Sequence, residues 1–129
     1  MPTPEVRPIP DTIALCNSTA LTDSGQAVAF DVVYQGESCR AFAVRYDGRV
    51  YAYLNRCSHV PIEMDYQPGR FFDMTGRRLI CATHGAMYQP RTGACRAGPC
   101  RGGLVKIGVQ EHGGVVHWHT AHNLKPVEY

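Results

Sequence analysis

From residue 27 onward the chain alternates large and small side chains with a period of two. In "AVAFDVVY" (27–34), Val28, Phe30, Val32 and Tyr34 fall on one face, and Ala27, Ala29 and Asp31 on the other, the signature of a strand. "CRAFAVRY" (39–46) repeats it, with Phe42, Val44 and Tyr46 on a bulky face. "QGES" between the two supplies a turn, and Asp47-Gly48 separates the second run from "RVYAYL" (49–54). Asp-Gly is a strong two-residue hairpin signal, because both turn positions need φ > 0. Residues 27–54 therefore predict an antiparallel three-strand meander. Toward the C-terminus, "LVKIGV" (104–109) and "VVHWH" (115–119) flank "QEHGG" as a further hairpin. No window of ten or more residues carries capped helical periodicity, so the chain reads as all-β. The stretch 57–88 then forms loops projecting from a strand scaffold.

Composition narrows the picture. At 129 residues with 44% hydrophobic content, the chain is sized for one domain with a real core. "MPTPEVRPIPD" carries prolines at positions 2, 4, 8 and 10. Proline fixes φ and donates no backbone hydrogen bond, so residues 1–11 predict an extended arm, followed by a single domain over 12–129. The net charge of +2 comes from scattered Lys and Arg, which leaves no stripe for nucleic acid. No apolar run approaches the ~20 residues that span a bilayer, and the arm has no signal-peptide pattern. The expectation is a soluble, cytoplasmic protein, in which six cysteines read as metal ligands or free thiols more readily than as a disulfide frame.

The chemistry concentrates in "CSHVPIEMDYQPGRFFDMTGRRLICATHGAMY" (57–88). A Cys-x-His pair, Cys57 and His59, is separated by 21 residues from a Cys-x-x-His pair, Cys81 and His84. Each pair follows an apolar strand-like run, so two loops can bring two thiols and two imidazoles to a common place. A Cys₂His₂ zinc site is the plain alternative. The single residue between Cys57 and His59 fits it poorly, because paired zinc ligands are usually at least two residues apart. The spacing suits a larger core in which Cys and His of one loop reach different metal atoms. A two-iron, two-sulfide unit does this, with Cys57 and Cys81 on one iron and His59 and His84 on the other.

These residues resemble the two cluster-binding loops of Rieske iron–sulfur proteins. The match lies in Cys57-Ser-His59 (loop 57–62) and Cys81-Ala-Thr-His84-Gly85 (loop 81–88), with "YQPRTGACRAGP" following. The resemblance implies an antiparallel β-sandwich with a small cluster-binding subdomain, one [2Fe-2S] cluster, and the compact layout of a stand-alone Rieske ferredoxin. It also implies a role as a one-electron carrier between a reductase and a terminal acceptor such as an oxygenase, with no nucleic acid or membrane involved. A small Rieske subunit of a multi-chain enzyme, an oxygenase or nitrite reductase, and a zinc-stabilised binding module without redox function are the alternatives.

Two neutral imidazoles in place of two thiolates raise the potential, to somewhere within roughly −150 to +300 mV. High-potential members place a serine two residues, and a tyrosine four residues, after the second histidine, where both donate hydrogen bonds to sulfur. Here those positions are Ala86 and Tyr88. The extra cysteines that clamp the loops of those members correspond to Ile62 and Thr83. The expectation is a low-to-intermediate potential, below about +200 mV.

Other residues receive plainer readings. The two loops already complete the cluster, so Cys95 and Cys100 read as free thiols near it, with a disulfide as the alternative. Cys16 and Cys39 sit in strand-like runs. His117 and His119 would share a strand face. Glu63, Asp65 and Asp73 read as solvated or turn residues in an insert (62–78) that forms a lobe beside the cluster, anchored by Phe71 and Phe72.

Overall fold

The computed structural model describes residues 11–57, 63–65, 67–100 and 102–127. The arm up to residue 10, His59 and Ile62 lie outside the described residues. Among the described residues eleven strands run in chain order. They are β1 (Thr12–Asn17), β2 (Val28–Tyr34), β3 (Glu37–Tyr46), β4 (Arg49–Leu54), β5 (Leu79–Ile80), β6 (Met87–Tyr88), β7 (Cys95–Ala97), β8 (Lys106–Ile107), β9 (Val109–His112), β10 (Val115–His119) and β11 (Leu124–Pro126). A 3₁₀ turn, Ser18–Ala20, follows β1.

The strands form three sheets, ordered β1-β10-β9, β11-β2-β3-β4-β8 and β5-β6-β7. All named strand pairs are antiparallel. The expected meander is the centre of the five-stranded sheet. Its hairpins turn at Gln35-Gly36 and Asp47-Gly48, with φ of 50° and 80° in the first and 52° and 80° in the second. Both are two-residue turns whose twist matches the flanking strands, so the first is tighter than "QGES" suggested.

Two departures from the sequence reading share one cause. The run 104–109 is not one strand: it breaks at Gly108, where the chain leaves the five-stranded sheet. β8 pairs with β4, whereas β9 pairs with β10. The loop in "QEHGG" shrinks to Gly113-Gly114, with Gln110–His112 absorbed into β9. A strand that changes sheets keeps its apolar alternation, so periodicity alone does not reveal the switch.

The central sheet is buried on both faces, and β3 and β4 show why. Ala41, Ala43, Val50, Ala52 and Leu54 join Val32, Val116 and Trp118 in a core beneath the β1-β10-β9 sheet. Phe42, Val44 and Tyr53, on the opposite face, join Phe71, Leu79, Cys57, Cys81 and Tyr88 in a second core. Register sets the fit across the first face: Val28 lies opposite Ala43 and Phe30 opposite Ala41, large against small, so that Trp118 can pack on Phe30 with ring centroids 5.5 Å apart. Arg45 links the two larger sheets, donating to both carboxylate oxygens of Glu111 (3.1 and 2.6 Å) and to the carbonyls of Leu21 and Ser18 (2.8 and 3.1 Å).

Candidate metal centre

The second core ends at the two thiols. Cys57 lies three residues beyond β4. The residue between strand and thiol that shapes this exit is Asn55, 8% exposed and the one buried polar residue of the described core. Its Nδ2 donates to Asp65 Oδ1 (2.7 Å), and its Oδ1 accepts the Met64 N–H (2.7 Å). Asp65 Oδ2 in turn accepts the Gly69 N–H at 3.0 Å. These bonds fold the insert back against the end of β4, a local use of Asx side chains that competes with regular ladders. Phe71 then stacks on Phe42 at 3.7 Å between centroids, and Phe72 on Tyr46 at 6.2 Å, so both phenylalanines anchor the insert as expected.

The second loop is a tight turn at the end of the β5-β6 hairpin. Cys81 N–H donates to Ala86 O (2.8 Å), and Gly85 N–H donates to Cys81 O (2.9 Å), with Gly85 at φ 76°. This closure buries Cys81 and Ala86 completely and leaves His84 exposed at the tip. Ala82 N–H donates to Met64 O at 2.9 Å, which ties the second loop to the insert that follows the first.

The two thiols belong to the same core: Cys57 and Cys81 are 3% and 0% exposed. Tyr88, fully buried, places its hydroxyl 3.4 Å from Cys57 Sγ. Burial pushes the Cys81 thiol above its ordinary pKa; the Thr83 amide opposes this, Cys57 adds to it, and the His84 amide opposes it again. Two adjacent thiols in apolar surroundings resist becoming thiolates unless a cation joins them. Amides and a phenol already directed at the sulfurs are what a sulfur-ligated metal needs around it. Among the described residues no three of His, Cys, Asp and Glu surround a single point as ligands of one ion would.

A third loop lies over the second. Gly98 has φ 80°, and a Cβ there would stand 2.9 Å from both Gly85 O and Ala86 Cα. Only a glycine permits this approach without displacing backbone. The base of that loop is closed by a disulfide between Cys95 and Cys100, with Cα atoms 5.9 Å apart, which corrects the reading of these two as free thiols. The spatial closeness of their Cβ atoms depends on a hairpin return that spacing does not specify.

The remaining expected residues fall into place. Glu63 is exposed, whereas Asp65 works in the Asn55 network. Asp73 Oδ1 accepts from Thr75 Oγ1 (2.8 Å) and from the amides of Arg77 and Arg78 (3.3 Å each), a turn role. His117 stacks on His112 at 5.4 Å, and His119 lies against Gly108. Asn55 and Met64 were missed as site residues, although an Asn just before a ligand loop is a visible signal; Gly98-Pro99 covers the second loop as the resemblance implied.

The comparisons with known proteins bear on this geometry. The family model for the Rieske [2Fe-2S] domain matches residues 11–113. The chain belongs to the Rieske family. A [2Fe-2S] cluster is therefore its cofactor, and the donor set just described fits one: paired sulfurs in the dry interior, an imidazole toward solvent. Among solved structures, the ferredoxin of carbazole 1,9a-dioxygenase from Nocardioides aromaticivorans IC177 is 26% identical, with a TM-score of 0.68 over 85% of this chain and 98% of that one. The terminal oxygenase of carbazole 1,9a-dioxygenase from Novosphingobium sp. KA1 is 19% identical with a TM-score of 0.69, and the match covers 93% of this chain but 32% of the oxygenase. A fluorene-bound oxygenase and ferredoxin complex of carbazole 1,9a-dioxygenase matches at a TM-score of 0.70 and 18% identity, over 86% of this chain and 29% of that one. No curated protein sequence matches. The Rieske chain contains no helix, among the described residues, long and apolar enough to cross a membrane.

Proposed function

We propose that Cys57 and Cys81 hold one iron of the Rieske cluster and His59 and His84 the other. In this reading, residues 12–129 work as one unit, a cytoplasmic carrier that passes single electrons from a reductase to an oxygenase. The bound cluster supplies reversible one-electron chemistry at a potential raised by its imidazole ligands. The chain supplies the surroundings. Residues of the second core keep water from the sulfur end, while the Tyr88 hydroxyl and the Thr83 and His84 amides favour negative charge on the sulfurs. His84, exposed at the tip of its loop, presents the imidazole end to a partner.

The observation that carries the reading is the polarity of the site: two thiols buried in one core at one end and an exposed histidine at the other. The role as a separate carrier, not as a domain of a catalytic chain, is supported by the near-complete coverage of a dioxygenase ferredoxin.

The test is elemental and spectroscopic. Anaerobically isolated protein is expected to contain two irons and two acid-labile sulfides, and its reduced form the low-average-g resonance of mixed Cys/His ligation. Colourless protein carrying zinc would refute the assignment. A midpoint well above about +200 mV would refute the expected tuning, in which Ala86 offers no hydroxyl to sulfur.

A further inference from the structure

We infer that the Cys95–Cys100 disulfide is a reversible redox-modification site that holds the loop covering the cluster. The inference rests on the cluster reading above for its effect, but not for its chemistry.

The disulfide closes a ring whose far side is Gly98-Pro99, the segment pressed onto Gly85 and Ala86 beside His84. β7 fixes the base of the ring, with Cys95 opposite Tyr88 and Ala97 opposite Met87. Cys95 and Cys100 both pack, half-buried, against the second core, so the bridge lies between the tyrosine that touches Cys57 and the turn that presents His84. Arg96, Ala97, Gly98 and Pro99 are exposed, leaving the ring open to a reductant. Both sulfurs also lie beside backbone carbonyls, acceptors within reach of the thiols that reduction would create. Cys95 Sγ is 3.3 Å from Cys100 O, and Cys100 Sγ is 3.3 Å from Ala97 O.

The step balances with a dithiol reductant, a small molecule or a protein of the redox-relay class. One of its thiolates attacks a bridge sulfur, the Cys95–Cys100 bond breaks and a mixed disulfide forms. The reductant's second thiolate then displaces the remaining cysteine. Two electrons pass to the protein, two protons complete its thiols, and the reductant leaves as a disulfide. In a reducing cytoplasm a bridge of this kind is transient and sensing, not permanent. Opening the ring frees the Gly98-Pro99 tip and lets water nearer the cluster. The added electron makes the cluster more negative, and water stabilises that charge, so the potential rises.

The experiment compares holoprotein isolated aerobically, the same protein treated with a phosphine reductant, and the C95A/C100A double variant. Alkylation under denaturing conditions followed by mass spectrometry is expected to label Cys95 and Cys100 only after reduction. The reduced protein and the variant are expected to share a positive shift in cluster midpoint and a several-fold faster bleaching by an iron chelator. Labelling of both cysteines without reduction would overturn the inference. So would a present bridge whose removal leaves the midpoint and the bleaching rate unchanged. If the variant does not fold, the phosphine comparison on the unaltered chain decides. The labelling pattern is read without reference to iron, so absence of the cluster would count against the proposed function alone.

Discussion

The β-sandwich and the cluster-binding subdomain share one sheet, yet they are held by different means. On the sandwich side, β2, β3 and β4 contribute strands of 7, 10 and 6 residues, closed by ideal turns and packed through alternating alanines and large side chains. On the subdomain side, β5 and β6 have 2 residues each and β7 has 3. There the backbone is fastened by side-chain bonds from Asn55 and Asp65, by a disulfide and by close approach at Gly98. A two-residue ladder cannot stabilise itself. The sandwich is therefore held by ladders and packing, and the subdomain by side-chain bonds, a covalent bridge and close backbone approach.

Several changes would break or sharpen that contrast. The largest effect is expected from Cys81→Ser: complete loss of cluster iron and of visible absorption, with the far-ultraviolet circular dichroism of the sandwich strands retained. Simultaneous collapse of both would show that the two regions are not separable. Next, Phe71→Ala removes the ring stacked on Phe42 between insert and sheet. It should cost about 3–5 kcal/mol in denaturant unfolding and accelerate cluster loss, whereas a sandwich truncation of equal cost, Trp118→Ala, should leave cluster retention in the native state unchanged.

A smaller effect, confined to the site, is expected from Tyr88→Phe. The cluster should assemble normally, and its midpoint should fall by about 20–60 mV, the equivalent of one hydrogen bond of roughly 0.5–1.5 kcal/mol to sulfur. A redox titration showing no change would remove Tyr88 from the tuning of the site.

The smallest change belongs to the sandwich. Arg45, through its hydrogen bonds, holds the Glu111 carboxyl below its ordinary pKa. The folded chain thus binds that proton more weakly than the unfolded chain. The stabilisation is complete above the ordinary carboxylate range and is lost as pH falls through the depressed folded value. Because the pair is partly solvated, with side chains 15% and 28% exposed, the contribution should be about 1 kcal/mol or less. Glu111→Gln should flatten the acid limb of stability against pH by that amount and leave the cluster potential unmoved.

The legibility of each region in the sequence follows the same division. Strands of five or more residues with one dominant partner sheet announce themselves by alternation, which is why 27–54 and 115–119 were readable. β5, β6 and β7 are too short to show a period, and β1 and β11 lack a clean one. The proposed ligand residues were readable for another reason: the chemistry of binding two metals constrains residue type and spacing directly. The surroundings were not. Asn55 matters through where its side chain arrives, and Met64 through its carbonyl.

By itself, then, the amino-acid sequence determined the strand-rich class, the paired Cys/His loops, the replacement of a hydroxyl donor by Ala86 and the retention of Tyr88, because each is a property of residue identity or short-range order. Tertiary structure alone decided that the middle sheet is buried on both faces, that the chain changes sheets at Gly108, and that Cys95 and Cys100 are joined. Those outcomes depend on which distant surfaces meet, and no local pattern encodes a meeting between segments that only the folded chain brings together.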